Sequence, residues 1–590
     1  MELRALIAVI LSMAVLAAYQ FFFVPAAPPE GALPDGLETS STPAPSQVAT
    51  PATPLPARVD NGPEAGATAA AVAAEKQSQV SINAENYRAT LTNQGGRLTS
   101  MILSGYRDDF GDELDLVSAA ATSAARFPFE WVSPLGAADA EILNNALFTV
   151  AISGGSAASS GSNRTVTPDS PVIVRFDWAD GTGRSAWKEI IFPADGNMVS
   201  VEAGVTGFNN LFLGLGAGLD EVPVGLRNAY LAENAMVYGA SGLEKWSASD
   251  LEAGVGVDGP SWAGTESHYF MAVYLLDSDD AALSRVLLTA VPVQVPAAPD
   301  AEDENPVDHV VPATAVAIES FATATPVYFG PKKYDELVEQ GHALEQAVDF
   351  GMWGFVSRPL LFVLNMIYSF VRNWGIAIIL LTALLRLAFW PLNQKAMTSM
   401  RKTQKLQPQM AAIRGKYKGV KDLDKRQKMN EEVMALYKRE GVSPLGGCLP
   451  MVAQIPILFS FYALLSVAIE LRQAPFVFWI TDLSRHDPYL VLPLLMGASM
   501  LVQQRLTPQA TADPQQASMM RMMRLMPIFF TVMFLYVPSG LVLYWLVNNL
   551  LGIGQQLYVN RSMDRQLLAE KAAKKANKAA KTRGNSQRGE

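Results

Sequence analysis

Apolar and polar residues alternate in short runs over a long central part of the chain, residues 81–335. The stretch NYRATLTNQGGRLTSMIL alternates, is interrupted at Asn93–Gly96 and alternates again, which predicts a two-stranded hairpin. Runs such as PVIVRFDWADG and HYFMAVYLLD are further strand candidates, and helical periodicity is nearly absent. The pattern predicts a large all-β domain, a sandwich, over this region.

A long apolar run also begins the chain. Residues Ala5 to Val24 form a predominantly apolar segment of the length that a bilayer requires, about 20 residues. A cleaved signal peptide is the alternative, but its apolar core is usually shorter, about 7–15 residues. We therefore expect a transmembrane anchor at 1–24 and, because residues 25–80 are rich in Pro and Ala, a semi-extended linker there.

The part of the chain that follows the β domain is dominated by apolar helical segments. Residues 336–373 combine a polar helix with the arginine-bounded segment RPLLFVLNMIYSFVRN, which predicts a helical and interfacial amphipathic region. Five spans then form a core at 374–560, and with the anchor they predict a polytopic α-helical protein with six transmembrane helices. The first of these five spans begins at Trp374. The other four lie at about 445–470, 488–504, 519–537 and 538–558.

Lys and Arg are concentrated in the loop at 394–442 and in the tail at 561–590, which places both segments and both termini in the cytoplasm. Within the loop, two sets of apolar residues repeat at helical spacing and predict a helical hairpin. The sets are Leu406, Met410 and Ile413, and Met429, Val433, Leu436 and Tyr437. The basic outer faces include Lys402, Lys405, Arg414 and Lys416, which could contact lipid headgroups, incoming chains or a cytosolic partner, or could simply be solvated.

The composition argues against several kinds of functional site. The chain has 590 residues, a net charge of -10 and a single cysteine, Cys448, so neither an intramolecular disulfide nor a Cys-based metal cluster is predicted. The histidines are scattered, and we expect no metal and no cofactor. The GVGVDG stretch at 254–259 matches G-x-G-x-x-G, but no helix is predicted after Pro260, so we expect a turn there. We expect no enzyme activity.

One charge interrupts the apolar stretch GIAIILLTALLRLAFWPL at 375–392. If the helix is continuous, Arg386 lies roughly 13 Å from its end at Lys395, at 1.5 Å per residue. A charge at such depth costs about 2.5–3.5 kcal/mol on insertion scales. The other predicted spans contain no Asp or Glu in their interiors to neutralise it, and Glu470 lies at the outer end of its span.

The spans offer neutral polar groups instead, which predicts a water-filled cavity around Arg386 that opens to the cytoplasm. These groups are Thr382, Gln454, Ser460, Gln503, Gln504, Thr531, Tyr544, Asn548, Asn549, Gln555 and Gln556. The alternative is an arginine that reaches the membrane surface and has no special role.

Several long segments resemble the Oxa/Alb/YidC family of membrane protein insertases, in the Gram-negative form with a large periplasmic domain. They include RQKMNEEVMALYKREGVSPLGGCLPMVAQIPILFSFYALL and PSGLVLYWLVNNLLGIGQQL. The resemblance implies that the chain inserts and folds inner-membrane proteins through a hydrophilic groove, alone or with the Sec translocon. It assigns groove roles to Arg386 and Thr382 and to the aromatic pair Tyr544 and Trp545. Members often have two tyrosines at this pair, so Trp545 is a departure.

These observations together predict a membrane insertase and chaperone in the bacterial inner membrane, with the β domain in the periplasm. The predicted groove residues are Arg386, Thr382, Gln454, Tyr544, Trp545 and Asn548. The expected partners are nascent membrane proteins, Sec translocon components, the phospholipid bilayer and, through the basic tail, the ribosome. The alternatives are a secondary transporter of a small anion, and a membrane-anchored periplasmic carbohydrate-active enzyme. No inverted repeat supports the first, and an anchor would not need six spans with buried polar groups.

Overall fold

The computed structural model divides the chain into two compact units, Met1–Gly330 and Pro331–Glu590. It describes residues 71–108, 111–134, 137–160, 163–219, 233–276, 285–295, 305–417, 423–441, 449–506 and 514–586. The predicted anchor at 1–24, most of the linker and Cys448 lie outside these residues.

Three β-sheets build the described part of the first unit. The six-stranded sheet contains β1 (Gln79–Asn83), β2 (Tyr87–Thr92), β3 (Arg97–Arg107), β4 (Glu113–Asp115), β7 (Ser156–Ser160) and β8 (Asn163–Thr167), in the order β4-β3-β2-β1-β8-β7. The nine-stranded sheet contains β6 (Thr149–Ser153), β9 (Val172–Ala179), β10 (Ser185–Phe192), β11 (Met198–Thr206), β13 (Asn234–Gly239), β14 (Gly242–Trp246), β16 (Trp262–Glu266), β17 (Phe270–Leu275) and β20 (Thr325–Pro331), in the order β14-β13-β16-β17-β20-β11-β10-β9-β6. The five-stranded sheet contains β5 (Pro128–Val132), β12 (Phe212–Leu215), β15 (Val255–Asp258), β18 (Arg285–Val295) and β19 (Val307–Ala317), in the order β15-β18-β19-β12-β5. Two short helices, α1 (Ala119–Ser123) and α2 (Ala137–Asn145), connect strands.

The β architecture confirms the alternating pattern. The predicted hairpin is the antiparallel pair β2 and β3, and the turn between them contains Gly95 and Gly96 with φ of +73° and +59°. Strand β10 buries every second residue, as expected for a strand with one face on the core. The alternation of apolar and polar residues along the strands therefore determines which side chains form the core of the sandwich.

A lysine is among the charged side chains that are buried in the described part of this unit. Lys188 lies on the buried face of β10 and is fully inaccessible to solvent. Its Nζ donates to the carbonyl oxygens of Gly95 at 2.7 Å, Gly96 at 3.1 Å and Phe129, and lies 4.4 Å from the centre of the Trp131 ring. The ammonium thus joins one strand to the β2–β3 turn and to β5, because the main-chain carbonyls satisfy its donors.

The turn predicted for the GVGVDG stretch is wrong. Its central residues Val255–Asp258 form β15, which pairs antiparallel with β18 at the edge of the five-stranded sheet. Only the flanking Gly254 and Gly259 have positive φ, +70° and +65°. Pairing with a neighbouring strand satisfies the extended backbone, which outweighs the weak strand preference of glycine.

Helices form the described part of the second unit. They are α3 (Tyr334–Gln340), α4 (Gly354–Val371), α5 (Trp374–Ala388), α6 (Trp390–Lys416), α7 (Leu423–Arg439), α8 (Leu449–Val467), α9 (Val491–Leu506), α10 (Pro514–Met533) and α11 (Ser539–Ser586).

The continuous helix assumed around Arg386 is wrong. Helix α5 ends at Ala388, and α6 begins at Trp390 with a bend of 61° between the two. Pro391 lies in the first turn of α6, where a missing N–H costs nothing and the fixed φ favours a helix start. Arg386 therefore lies in the last turn of α5, and the depth of roughly 13 Å estimated along a single helix does not apply.

The described helices do not confirm the count of six spans. By length and apolarity, the stretch Gly351–Val371 could cross a membrane by itself, and the bent α5–α6 pair brings the number to two if it forms one span. Gln454–Val467 and Arg524–Met533 are apolar but shorter. Helix α11 also runs on to Ser586, so the predicted last span and basic tail share one helix, as expected for a tail rich in Ala and Lys.

The hairpin formed by α6 and α7 packs through the apolar residues that the helical spacing indicated. Leu406, Met410 and Leu436 form a buried cluster, against which Ile413 and Tyr437 pack. Arg401 of α6 then contacts α11, where it pairs with Asp564 at 2.9 Å. The hairpin is therefore attached at its base to the last helix.

Candidate functional site

A cavity lies where α5, α6, α8 and α11 meet. It has an empty volume of about 370 Å³ and is lined by Thr382, Leu385, Arg386, Phe389, Asn393, Gln454, Ile457, Tyr544 and Asn548. The lining thus brings together Arg386 and four other predicted groove residues from three helices, although up to 166 positions separate them in the sequence (382 to 548). No carboxylate belongs to this lining.

Arg386 is held by the main chain of the last helix. Its Nη2 donates to the carbonyl oxygen of Asn548 at 2.8 Å, and its Nε is buried without a partner in the described part of the chain. A peptide dipole offsets part of the charge, but it does not cancel it as a carboxylate would. The guanidinium therefore keeps donor capacity toward the cavity.

Tyr544 and Gln454 form the opposite polar pair of the cavity. The hydroxyl of Tyr544 is hydrogen-bonded to the side chain of Gln454. The ring of Tyr544 stacks on Phe461, with ring centres 4.3 Å apart and an interplanar angle of 13°. The stacking fixes the ring, and the amide fixes the hydroxyl, so this pair has a defined geometry before any ligand binds.

Thr382 lines the cavity but does not contact Arg386 through its hydroxyl. The hydroxyl donates to the carbonyl oxygen of Ile378, one turn earlier, at 2.6 Å, and the residue is buried. Such a bond back to the preceding turn is a common arrangement for Thr inside a helix. Thr382 therefore contributes its position and size to the cavity wall.

Trp545 is the predicted groove residue that the structure does not place in the cavity lining. Its ring lies against the end of α10, with ring centres 6.0 Å from Phe530 in that helix and 5.2 Å from Phe534, which follows it. Successive residues of a helix point about 100° apart, so Tyr544 and Trp545 cannot share one face. Asn549, on the other side of α11, donates to Ser499 Oγ at 3.0 Å.

The sequence did not indicate four of the lining residues, Leu385, Phe389, Asn393 and Ile457. Asn393 lines the cavity from α6, beyond the bend that separates α5 from α6. The spacing of Leu385, Phe389 and Asn393 at i, i+4 and i+8 was the available signal, but it is a signal of helix faces in general.

The basic residues predicted for the hairpin lie outside the cavity lining. Lys402, Lys405 and Lys416 are exposed and Arg414 is partly exposed. Lys416 lies 3.7 Å from Glu432 of the facing helix, and both side chains are largely solvated. These side chains form a separate basic surface.

The site is thus a polar cavity that is lined by one arginine and lies among largely apolar helices, in a chain that also carries a large all-β unit. The family described as 60Kd inner membrane protein matches residues 366–566. The family described as YidC periplasmic domain matches residues 79–363.

Relatives of nearly full length carry a consistent name. The chain is 33% identical over 587 residues to the membrane protein insertase YidC of Syntrophus aciditrophicus, covering 95% of this chain and 100% of that protein. It is 35% identical over 577 residues to the insertase YidC of Geobacter metallireducens, covering 95% and 99%. The solved structure titled "Active YidC insertase crystal structure with the first transmembrane domain resolved" is 18% identical with a TM-score of 0.33, covering 82% of this chain and 93% of that one.

The chain belongs to the YidC family of membrane protein insertases. The predicted family and the predicted function are thereby confirmed, and so is the class, an insertase and not an enzyme. The family descriptions also place it in the inner membrane with a periplasmic β-sandwich domain. Neither the transporter nor the carbohydrate-active enzyme finds support in these relatives.

Proposed function

We propose that Arg386 receives the hydrophilic, often acidic segment of a client protein while the client's apolar segment moves into the lipid. One observation carries this proposal: the cavity around Arg386 is lined by neutral groups and contains no carboxylate among its lining residues. Because Nε has no partner and Nη2 has only a carbonyl in the described structure, a client carboxylate gains a charge-assisted hydrogen bond.

The driving force in this account is physical. Burial of a client's apolar segment in lipid contributes about 25 cal/mol per Å². The membrane potential adds about 2.3 kcal/mol per charge per 100 mV for an acidic segment that moves outward. The cavity lowers the cost of the intermediate, because it keeps the hydrophilic segment hydrated and opposite a positive charge while the apolar segment leaves. No nucleotide is required.

The topology that fits this role has six spans, both termini in the cytoplasm and the β domain in the periplasm. The Lys and Arg content of 394–442 and 561–590 supports it, since short cytoplasmic segments are enriched in these residues. The domains would be the anchor at 1–24, linker at 25–80, β domain at 81–335, interfacial segment at 336–373, core at 374–560 and tail at 561–590. Labelling of single cysteines on either side of the membrane tests this arrangement.

The basic hairpin and tail fit contacts with anionic partners. Lys402 and Lys405 are exposed, so their charges are available to lipid headgroups or to a client approaching the cavity. The tail continues α11 as a Lys-rich helix, which suits weak, salt-dependent contact with ribosomal RNA. Cooperation with the Sec translocon rests on the family alone.

Substitution of Arg386 tests the proposed function. A single-span client with an acidic tail is followed by protease protection in membranes that contain the parent chain, Arg386→Ala or Arg386→Lys. Alanine should reduce insertion at least tenfold, and lysine should retain most of it, because a mobile positive charge is what the client requires. Insertion at the parent rate by the alanine variant would contradict the proposal. Deletion of residues 81–330 is expected to leave insertion largely intact.

A further inference from the structure

Gly552 lies where the guanidinium of Arg386 meets the last helix. A Cβ built on Gly552 would lie 2.7 Å from Arg386 Nη2 and 2.8 Å from Gln503 Nε2. The same Nη2 donates to the carbonyl oxygen of Asn548, one turn before Gly552 in α11. Side chains of α5 and α9 therefore converge on a place that is open only because position 552 carries no side chain.

The geometry of a helix explains why the residue at this position matters. The carbonyl of residue 548 accepts the N–H of residue 552 within the helix, and the Cα–Cβ bond at 552 tilts back toward that preceding turn. A side chain at 552 would cover the carbonyl, whereas glycine leaves its second lone pair accessible. Arg386 Nη2 uses that lone pair at 2.8 Å.

We infer that Gly552 is a positioning residue of the insertase, which fixes where the positive charge of Arg386 rests at the cavity wall. The inference depends on the proposed role of Arg386 as the receiver of acidic client segments. A methyl group at position 552 displaces the guanidinium from the Asn548 carbonyl. The displaced arginine then no longer meets a client carboxylate in the prepared geometry.

Alanine at position 552 should change the arginine and not the fold. The atoms that a Cβ would meet are the ends of two flexible side chains, and no backbone atom outside the helix lies closer. Alanine also favours a helix more than glycine does. The chain offers a matched control in Gly554, two residues further along the same helix, where an added Cβ would meet nothing within 4 Å.

The experiment compares two clients in four versions of the full-length protein. One client has an acidic tail, and the other has the same tail with every Asp and Glu replaced by Asn and Gln. The chains are the parent, Gly552→Ala, Gly554→Ala and Arg386→Ala. We expect Gly552→Ala to reduce insertion of the acidic client at least fivefold while the neutral client inserts at the parent rate. Gly554→Ala should insert both clients normally.

The variants distinguish a failure of the role inferred for Gly552 from a failure of the role proposed for Arg386. If Arg386→Ala impairs the acidic client and Gly552→Ala does not, the inference is overturned and the role of Arg386 stands. If Arg386→Ala has no effect, the proposed role itself fails. An equal loss for both clients in Gly552→Ala would also overturn the inference, because it would indicate a general packing defect. In an Arg386→Ala background, Gly552→Ala should cause no further loss for the acidic client.

Discussion

The guanidinium of Arg386 donates to the main-chain carbonyl of Asn548 at 2.8 Å, so a single peptide carbonyl and not a carboxylate holds this charge. A carboxylate in the same place would satisfy the arginine permanently and leave nothing for a client. A single neutral acceptor holds the guanidinium in place without neutralising its positive charge, which can still attract a client carboxylate. The relationship between these two residues is therefore the structural basis of the proposed mechanism.

The ring of Tyr544 should contribute more to the stability of the protein than its hydroxyl does. Tyr544→Phe retains the stacking on Phe461 and removes the hydroxyl that is hydrogen-bonded to Gln454. We expect this change to cost about 1 kcal/mol of stability, and Tyr544→Ala about 3–5 kcal/mol, since alanine also leaves a void. Unfolding of the purified protein in detergent measures both. Equal losses for the two variants would show that the hydroxyl, and not the ring, dominates.

Lys188 should be essential to the stability of the β unit. Lys188→Met leaves the carbonyl oxygens of Gly95, Gly96 and Phe129 without this donor in the core. Because each buried acceptor without a partner costs about 1–3 kcal/mol, we expect a loss of at least about 3 kcal/mol. Urea-dependent proteolysis of the β unit in the full-length chain measures the loss. The exposed Lys76 is the matched control, and Lys76→Met should change stability by less than about 0.5 kcal/mol.

Acid should weaken the turn between β9 and β10. The Arg184 guanidinium, hydrogen-bonded to Asp180 at 2.8 Å, holds the pKa of that carboxyl well below its ordinary value of 3.8. A pKa that is lower in the folded state means that the contribution of Asp180 is present above the ordinary value and is lost as the pH falls below it. Asp180→Asn should therefore destabilise the β unit at neutral pH, and the difference from the parent should shrink below about pH 3. The same proteolysis assay measures the effect, and a difference that is independent of pH would contradict this account.

Local periodicity predicted the elements whose partners lie close in sequence. The alternation around Asn93–Gly96 predicted the β2–β3 hairpin, and the helical spacing of Leu406, Met410 and Leu436 predicted how α6 and α7 pack. In both cases a short connection leaves few choices of partner, so the buried face determines the contact. Four of the eleven neutral polar groups that the apolar segments offered also line the cavity around Arg386, namely Thr382, Gln454, Tyr544 and Asn548.

Features that depend on distant contacts could not be predicted in the same way. Pro391 is compatible both with the first turn of a helix and with a break in a longer one, so the sequence did not predict the bend of 61° between α5 and α6. Trp545 belongs to a helix that is apolar on most faces, so periodicity does not say which neighbour it contacts. Gly552 carries no side chain to signal its role, which arises from what α5 and α9 place against it.

A reversal of charge between protein and client tests the central claim most directly. Arg386→Glu is combined with a single-span client whose acidic tail residues are changed to lysine, and insertion is followed by protease protection. The membrane potential opposes outward movement of a basic tail, so the comparison is made in vesicles without a potential. The account predicts that Arg386→Glu rejects the acidic client and inserts the basic client at least fivefold faster than the parent chain does. Equal insertion of both clients by the parent and by Arg386→Glu would contradict a role for the charge at this position.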